Sequence, residues 1–270
     1  MLLEHISVSR SKTYKQCAQH YKYHYHLKLK SPVEEPFYFI YGKIIHKIAE
    51  EYVTLKGEKT LDEIWRSVKA GEIEIEPDVY APPLPPEYAK RLPKHLKAIQ
   101  NLTKKIGTDG IVEHPFLYDL DPPNEKFVKG FIDRLIFKGD HAFIIDYKTT
   151  KKGKWRVNKS TVKIDPQLRM YARVVNKEFG IPAEKIQTAL YYLEDEELVS
   201  SSYTEQSLLL IEQEMLDVYN QIESHDPDNV RGNVGFHCNR CPFESICTWR
   251  SSEKRIANWD GDMSSIIKGV

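Results

Sequence analysis

The chain has 270 residues, and its 39 Lys and Arg balance its 39 Asp and Glu. That length can bury a full core, as one large domain or two small ones. Zero net charge argues against a protein that coats nucleic acid over its whole surface, while leaving room for a local basic groove. No apolar run approaches the roughly 18 residues of a membrane helix, and the opening MLLEHISVSRSK lacks the apolar stretch of a signal peptide. The expected setting is a reducing cytoplasm, with no membrane partner, where disulfides do not form.

In chain order, Ser9 or Ser11 is placed to cap a helix to about Leu29, with Tyr14, Ala18, Tyr21 and Tyr25 on one face. A second helix is predicted from about Phe39 to Lys56, stopping at Gly57, with Ile40, Ile44, Ile48 and Tyr52 as its buried stripe. A shorter helix covers Leu61 to Ala70. Glu76 to Tyr88 is proline-rich and reads as a stiff connector, and Glu87 to Ile106 is helical in composition but interrupted by Pro93. Strands are predicted at Ile111–Leu120, Phe127–Lys138 and His141–Thr149. Asp165 and Pro166 suit the N-cap and first residue of a helix ending near Gly180. A strand at Lys185–Glu194 and a long helix from Thr204 to Ser224 follow. Helices, then strands, then a strand–helix–strand unit imply a mixed α/β core.

The hairpin GFIDRLIFKGDHAFIIDYKTT carries the chemistry. Gly139-Asp140 suits a two-residue turn, and that turn sets Asp133 directly opposite Asp146. Side chains alternate, so Lys148 shares their face, while Ile132, Ile136, Phe143 and Ile145 fill the other. Opposed like charges destabilise a sheet unless one carboxyl takes a proton or a cation sits between them. Two carboxylates favour Mg²⁺ or Mn²⁺ over Zn²⁺. Lys148 would then serve as a point charge for a phosphate or a proton-transfer group for a water.

Two other features call for an explanation. Cys238, Cys241 and Cys247 form C-x2-C-x5-C, with Cys17 far away in sequence; four thiolates suit either tetrahedral Zn²⁺ or an iron–sulfur cluster. Lys148 to Lys163 holds seven cations and no acid. Lys151, Lys152, Lys154 and Arg156 are candidate phosphate contacts there, with Trp155 able to stack on an unpaired base.

These residues resemble the PD-(D/E)XK nuclease superfamily, in which an acid on one strand precedes a (D/E)-x-K on the next: here Asp133, Asp146 and Lys148. HKIAEEY with His46, DPQLRMYA with Gln167 and Tyr171, SVSRSKTYKQC and HCNRCPFESIC are similar, in that order, to the RecB-like branch, including CRISPR-associated single-strand DNA exonucleases. The resemblance implies a restriction-endonuclease-like mixed sheet flanked by helices, whose N- and C-terminal segments are joined by a cysteine-ligated cluster. One nuclease domain over 1–270 would comprise a helical region (1–110, with Cys17 and His46), a core (111–225) and a cysteine-rich segment (226–270). It implies that His46, Asp133, Asp146 and the Tyr147 main-chain carbonyl ligate Mg²⁺ or Mn²⁺, with Glu113 a further acid nearby. Lys148 would position the attacking water and stabilise charge, with Gln167 and Tyr171 near the scissile phosphate. Cys17, Cys238, Cys241 and Cys247 would hold a structural 4Fe–4S cluster, favoured over zinc. The implied activity is hydrolysis of DNA, as a single-strand exonuclease of 5′→3′ polarity acting in DNA processing, recombination, repair or CRISPR adaptation. A helicase or other partner protein would supply unwinding, since no helicase motif is present. A non-catalytic iron–sulfur DNA-binding or adaptor subunit is the alternative, opposed by the intact Asp133, Asp146 and Lys148. A zinc-stapled RNA-processing or structural protein is a third reading. Glu58 to Gly110 matches nothing in the pattern.

Overall fold

The computed structural model describes residues 3–153 and 156–250. Seven helices are used below: α1 (Val8–Gln16), α2 (Ala18–Tyr21), α3 (Phe37–Thr54), α4 (Leu61–Lys69), α5 (Pro86–Ile106), α6 (Pro166–Glu178) and α7 (Glu205–Ser224). Five strands, β1 (Ile111–Asp121), β2 (Lys126–Lys138), β3 (His141–Lys148), β4 (Ile186–Tyr192) and β5 (Glu197–Ser202), form one sheet in the order 1-2-3-4-5. All neighbours are antiparallel except β3 and β4, which run parallel. A parallel pair needs a crossover, and the segment ending in α6 supplies it. This is the mixed α/β sheet flanked by helices that the element order predicts. No described helix is long and apolar enough to cross a membrane.

The chain divides into two compact units. The larger comprises Glu4–Val8 and Pro36–Leu216 and holds the sheet with α3 to α6. Its core lies on the face where Ile136, Ile145 and Tyr147 meet α3, α4 and α5 through Ile44, Ile48, Ile64, Val68, Leu96 and Ile99. Each fully buried isoleucine contributes about 1.5–3 kcal/mol relative to exposure. Helix α4 begins with a reciprocal cap: Thr60 Oγ1 accepts from Glu63 N, and Glu63 Oε2 accepts from Thr60 N. Helix α6 packs against β3 and β4. Asp165 caps it by accepting from the backbone N–H of Gln167 and Leu168, as its sequence predicts.

The smaller unit comprises Met1–Leu3, Ser9–Glu35 and everything from Asp217 on. Tyr14 Oη lies 2.6 Å from His225 Nδ1, and Asn233 donates to the Gln16 carbonyl. Phe243 is fully buried, with the rings of His20 and Tyr23 against it at 5.6 and 5.5 Å.

Two expectations are corrected, and one strand is added. The first helix does not run on to Leu29: Cys17 turns extended (φ −162°, ψ 108°), and α2 and a wide π-turn over Lys22–His26 follow it. Helix α5 is not interrupted at Pro93. Pro93 and Ala89 lie on the solvent side, so the carbonyl that Pro93 leaves free is not sealed in the core, while Leu92, Leu96 and Ile99 bury the other side. Strand β5 was not anticipated, because its sequence ELVSSS is poor in residues that favour strands.

The ends of β3 and β4 are tied to α5. Glu194 accepts from Arg91 Nε at 2.9 Å, Lys94 Nζ at 3.2 Å and the fully buried His95 Nε2 at 3.0 Å. Arg91 also donates to the Thr149 carbonyl at 2.6 Å, and Leu193 N donates to the Lys148 carbonyl at 3.0 Å. Burial alone would raise the Glu194 pKa; the hydrogen bonds from His95, Arg91 and Lys94 outweigh it and pull it from 4.5 to about 2. Its stabilisation is therefore present above about pH 4.5 and lost as pH falls toward about 2. Glu194→Gln should flatten the pH dependence of Tm across that interval. An unchanged slope would show that the network contributes no stability there.

Candidate active site

The β2–β3 register pairs Lys138 with His141, Ile136 with Phe143 and Arg134 with Ile145, around the turn at Gly139-Asp140. Continued one step, it sets Asp133 across from Asp146, beyond the last paired residues. Both are buried, with 8% and 1% of their surface exposed. The other face of this hairpin holds Ile136, Phe143 and Ile145 in the core as predicted. It also holds a residue the sequence analysis did not weigh: Arg134, fully buried, whose Nη2 donates to the Gly107 and Asp109 carbonyls just past α5.

Three elements deliver the remaining groups. Helix α3 brings His46, whose Nε2 lies 2.9 Å from the Tyr147 carbonyl. A carbonyl only accepts, so Nε2 carries the proton and Nδ1 is turned to the carboxylates, 3.3 Å from Asp133 Oδ2 and 3.9 Å from Glu113 Oε1. The Tyr147 carbonyl thus orients the histidine in this arrangement. Strand β1 brings Glu113, held at φ 46°. That left-handed backbone is strained for a non-glycine residue and costs roughly 1–3 kcal/mol. It is maintained at the position across from Asp133, between the pairs Val112–Arg134 and His114–Ile132. The ligand atoms of His46, Glu113 and Asp133 lie within 4.8 Å of one another. Glu50, one turn beyond His46, is raised by burial and by the charge of Glu113, against the pull of Lys47.

Strand β3 and helix α6 supply the rest. Lys148 Nζ is 2.6 Å from Asp146 Oδ2, and Asp146 Oδ1 is buried without a hydrogen-bond partner. Lys148 Nζ also donates to Gln167 Oε1 at 3.3 Å, and Gln167 Nε2 donates to the Tyr171 hydroxyl at 2.7 Å. The one-turn spacing of Gln167 and Tyr171 produces this chain. Tyr147 N donates to Asp133 Oδ2 at 2.9 Å.

The electrostatics follow from crowding acids in a dry place. Burial raises Asp133, opposed by His46 and Lys148. Burial, with Asp133 adding to it, pushes Asp146 up to about 6 although Lys148 pulls the other way. Burial alone would lower His46; Asp133, Glu113 and Asp146 outweigh it and bring it to about 9. Burial would likewise lower Lys148, but Asp146 and Asp133 hold it above its usual value. Burial keeps the Tyr171 hydroxyl protonated far past its ordinary range. Here imidazolium and ammonium supply the positive charge that the carboxylates demand.

The predicted DNA contacts divide. Lys151 and Lys152 are exposed. Arg156 is already matched internally: it pairs with both oxygens of Asp195 at 2.9 and 2.8 Å and with Glu197 at 3.1 Å, and it stacks 3.5 Å over the Tyr192 ring. Lys154 and Trp155 lie outside the described residues. Within the smaller unit, Cys17, Cys238, Cys241 and Cys247 all line one cavity, with no disulfide between them. Burial raises the Cys241 thiol, and the other three thiols add to the effect against a backbone hydrogen bond from Phe243. Among the described residues no three of these sulfurs fall within 4.8 Å of one another.

Solved structures offer loose likenesses. A candidate exonuclease from Eubacterium rectale shares 14% identity at a TM-score of 0.48, over 99% of this chain and 94% of that one. The protein SSO0001 shares 15% identity at a TM-score of 0.39, over 86% of this chain and 94% of that one. Among curated proteins none matches. The assignment rests on the family model: the PD-(D/E)XK nuclease superfamily model matches residues 5–248, almost the whole chain, and the protein belongs to that superfamily.

Proposed function

We propose that this protein is a divalent-metal-dependent DNA exonuclease acting on single-stranded ends. The observation that carries the reading is the convergence of His46, Glu113 and Asp133, whose ligand atoms lie within 4.8 Å of one another, with buried Asp146 on the neighbouring strand and Lys148 beside it. Oxygen-rich donors, a histidine with one nitrogen turned inward and the orphaned Asp146 Oδ1 fit a hard cation such as Mg²⁺ or Mn²⁺. His46, Glu113, Asp133 and Asp146 would hold it. When bound, such an ion polarises a phosphoryl oxygen and lowers the pKa of a water. The chain's own groups do the rest. Lys148 stays an ammonium, so its task is to orient the nucleophilic water and to meet charge developing on the phosphate, not to remove a proton. Gln167 fixes that ammonium by accepting from it, and its amide occupies the acceptor side of Tyr171, leaving the phenolic hydrogen to donate to a phosphate oxygen. Exposed Lys151 and Lys152, just past β3, would hold the backbone of the strand. Polarity 5′→3′ and a reducing cytoplasmic setting complete the reading, with unwinding left to a partner.

We further infer that the four cysteines hold a structural 4Fe–4S cluster. Four free thiols on one cavity support it. A single zinc, at Zn–S distances of about 2.3 Å, needs its four sulfurs about 3.8 Å apart. The cluster reading rests on the C-x2-C-x5-C spacing with a distant Cys17, and metal analysis separates it from zinc.

Four outcomes are expected. On end-labelled single-stranded DNA with Mn²⁺, Lys148→Ala should lower turnover by about 10²–10³-fold while metal affinity persists. Asp146→Ala should abolish cutting; an active Asp146→Ala enzyme would refute the site. Near neutral pH the metal-free His46 is charged, so binding of Mn²⁺ should release about one proton, measured calorimetrically in buffers of different ionisation enthalpy. Release should vanish above about pH 9, and none at neutral pH would exclude His46 as ligand. Anaerobically purified Cys17→Ala should lose iron, colour and thermal stability; a full iron complement, or stoichiometric zinc in the wild type, would contradict the cluster.

A further inference from the structure

Helix α3 carries a feature that metal binding does not use. Its first turn presents two large aromatic side chains to solvent, Tyr38 at 53% and Phe39 at 49% exposure, with ring centroids 4.3 Å apart and planes tilted by 39°. Phe37, by contrast, packs inward against Tyr88 at 4.9 Å. Phe39 and His46 are seven residues apart, which is 20° short of two turns, so they lie on one face about 10 Å apart along the axis. Between them on that face sits Gly42. Glycine weakens a helix interior, and packing does not require it here: a Cβ at Gly42 would meet no atom within 4 Å. At Gly42, between Phe39 and His46, the helix carries no side chain, as it does where a ligand passes close to a helix. Lys43 flanks the same line and is paired with Glu76 at 2.7 Å.

Resting on the nuclease reading, we propose that Tyr38 and Phe39 form a stacking platform for an unpaired nucleobase of the DNA strand being cut. The strand would cross the bare helix face at Gly42 and enter the site at His46. The occupant is a single-stranded base because stacking needs a free π-face, which a paired base in a duplex does not offer. At 3.4 Å per stacked nucleotide, 10 Å places that base about two to three nucleotides from the scissile phosphate. The surface continues directly into the metal-binding groups, and its aromatic chemistry suits a base far better than an ion.

The test is steady-state cleavage of single-stranded oligonucleotides with Mn²⁺. Phe39 is exposed, so Phe39→Ala leaves the core intact. It should raise KM roughly ten- to a hundredfold with kcat within about twofold, while Phe39→Trp should keep the wild-type KM. A single abasic nucleotide scanned along the substrate should raise the wild-type KM when it lies about two or three positions from the cut. The same abasic site should add nothing further in Phe39→Ala. An unchanged KM in Phe39→Ala, or a flat abasic scan, overturns the platform and leaves the nuclease reading standing. No degradation by the wild type overturns both.

Discussion

The structure depends on one electrostatic conflict. Two aspartates face each other where β2 and β3 end their pairing, and a third acid, Glu113, arrives from β1. With two of them buried and the third close by, these carboxylates are untenable without positive charge. His46 and Lys148 supply it, and Asp133, Glu113 and Asp146 raise the His46 pKa to about 9 against the pull of burial. The strained backbone at Glu113 is a second sign that the surroundings force this convergence. A folding-only sequence would relieve both costs with an apolar residue.

The sheet separates chemistry from support. On one face, Ile136, Ile145 and Tyr147 anchor α3, α4 and α5, and the Glu194–Arg91–His95 network ties α5 to the strand ends beside Lys148. On the other, Lys148, Gln167 and Tyr171 form a hydrogen-bonded chain from β3 to α6. The region from Glu58 to Gly110, which matches no motif, thus supplies the helices that hold the rigid side of the site. Helix α3 belongs to both tasks, its isoleucines in the core and His46 in the site.

Much of this was legible in the sequence, because local rules governed it. Gly139-Asp140 fixed the hairpin register, period-two alternation put Asp133, Asp146 and Lys148 together, and Asp165-Pro166 marked the start of α6. What was not legible depended on distant partners or on backbone conformation. Arg156 read as a phosphate contact because Asp195 and Glu197, which neutralise it, lie about forty residues on. Arg134 broke an apolar row with no partner in sight; its acceptors are carbonyls past the end of α5. Glu113 was noted only as a further acid, since nothing in the sequence announces a left-handed backbone in a strand. The break at Cys17 and the continuity of α5 through Pro93 are both cases where tertiary placement overrode local propensity.

The central claim is that one divalent cation resolves the conflict among these acids. The most direct measurement is anomalous diffraction from crystals soaked in Mn²⁺. A manganese peak bound by Asp133, Asp146, Glu113 and a nitrogen of His46, with Lys148 Nζ close by, is the expected result. A protein that crystallises with these side chains in place but takes up manganese elsewhere, or not at all, would contradict the account.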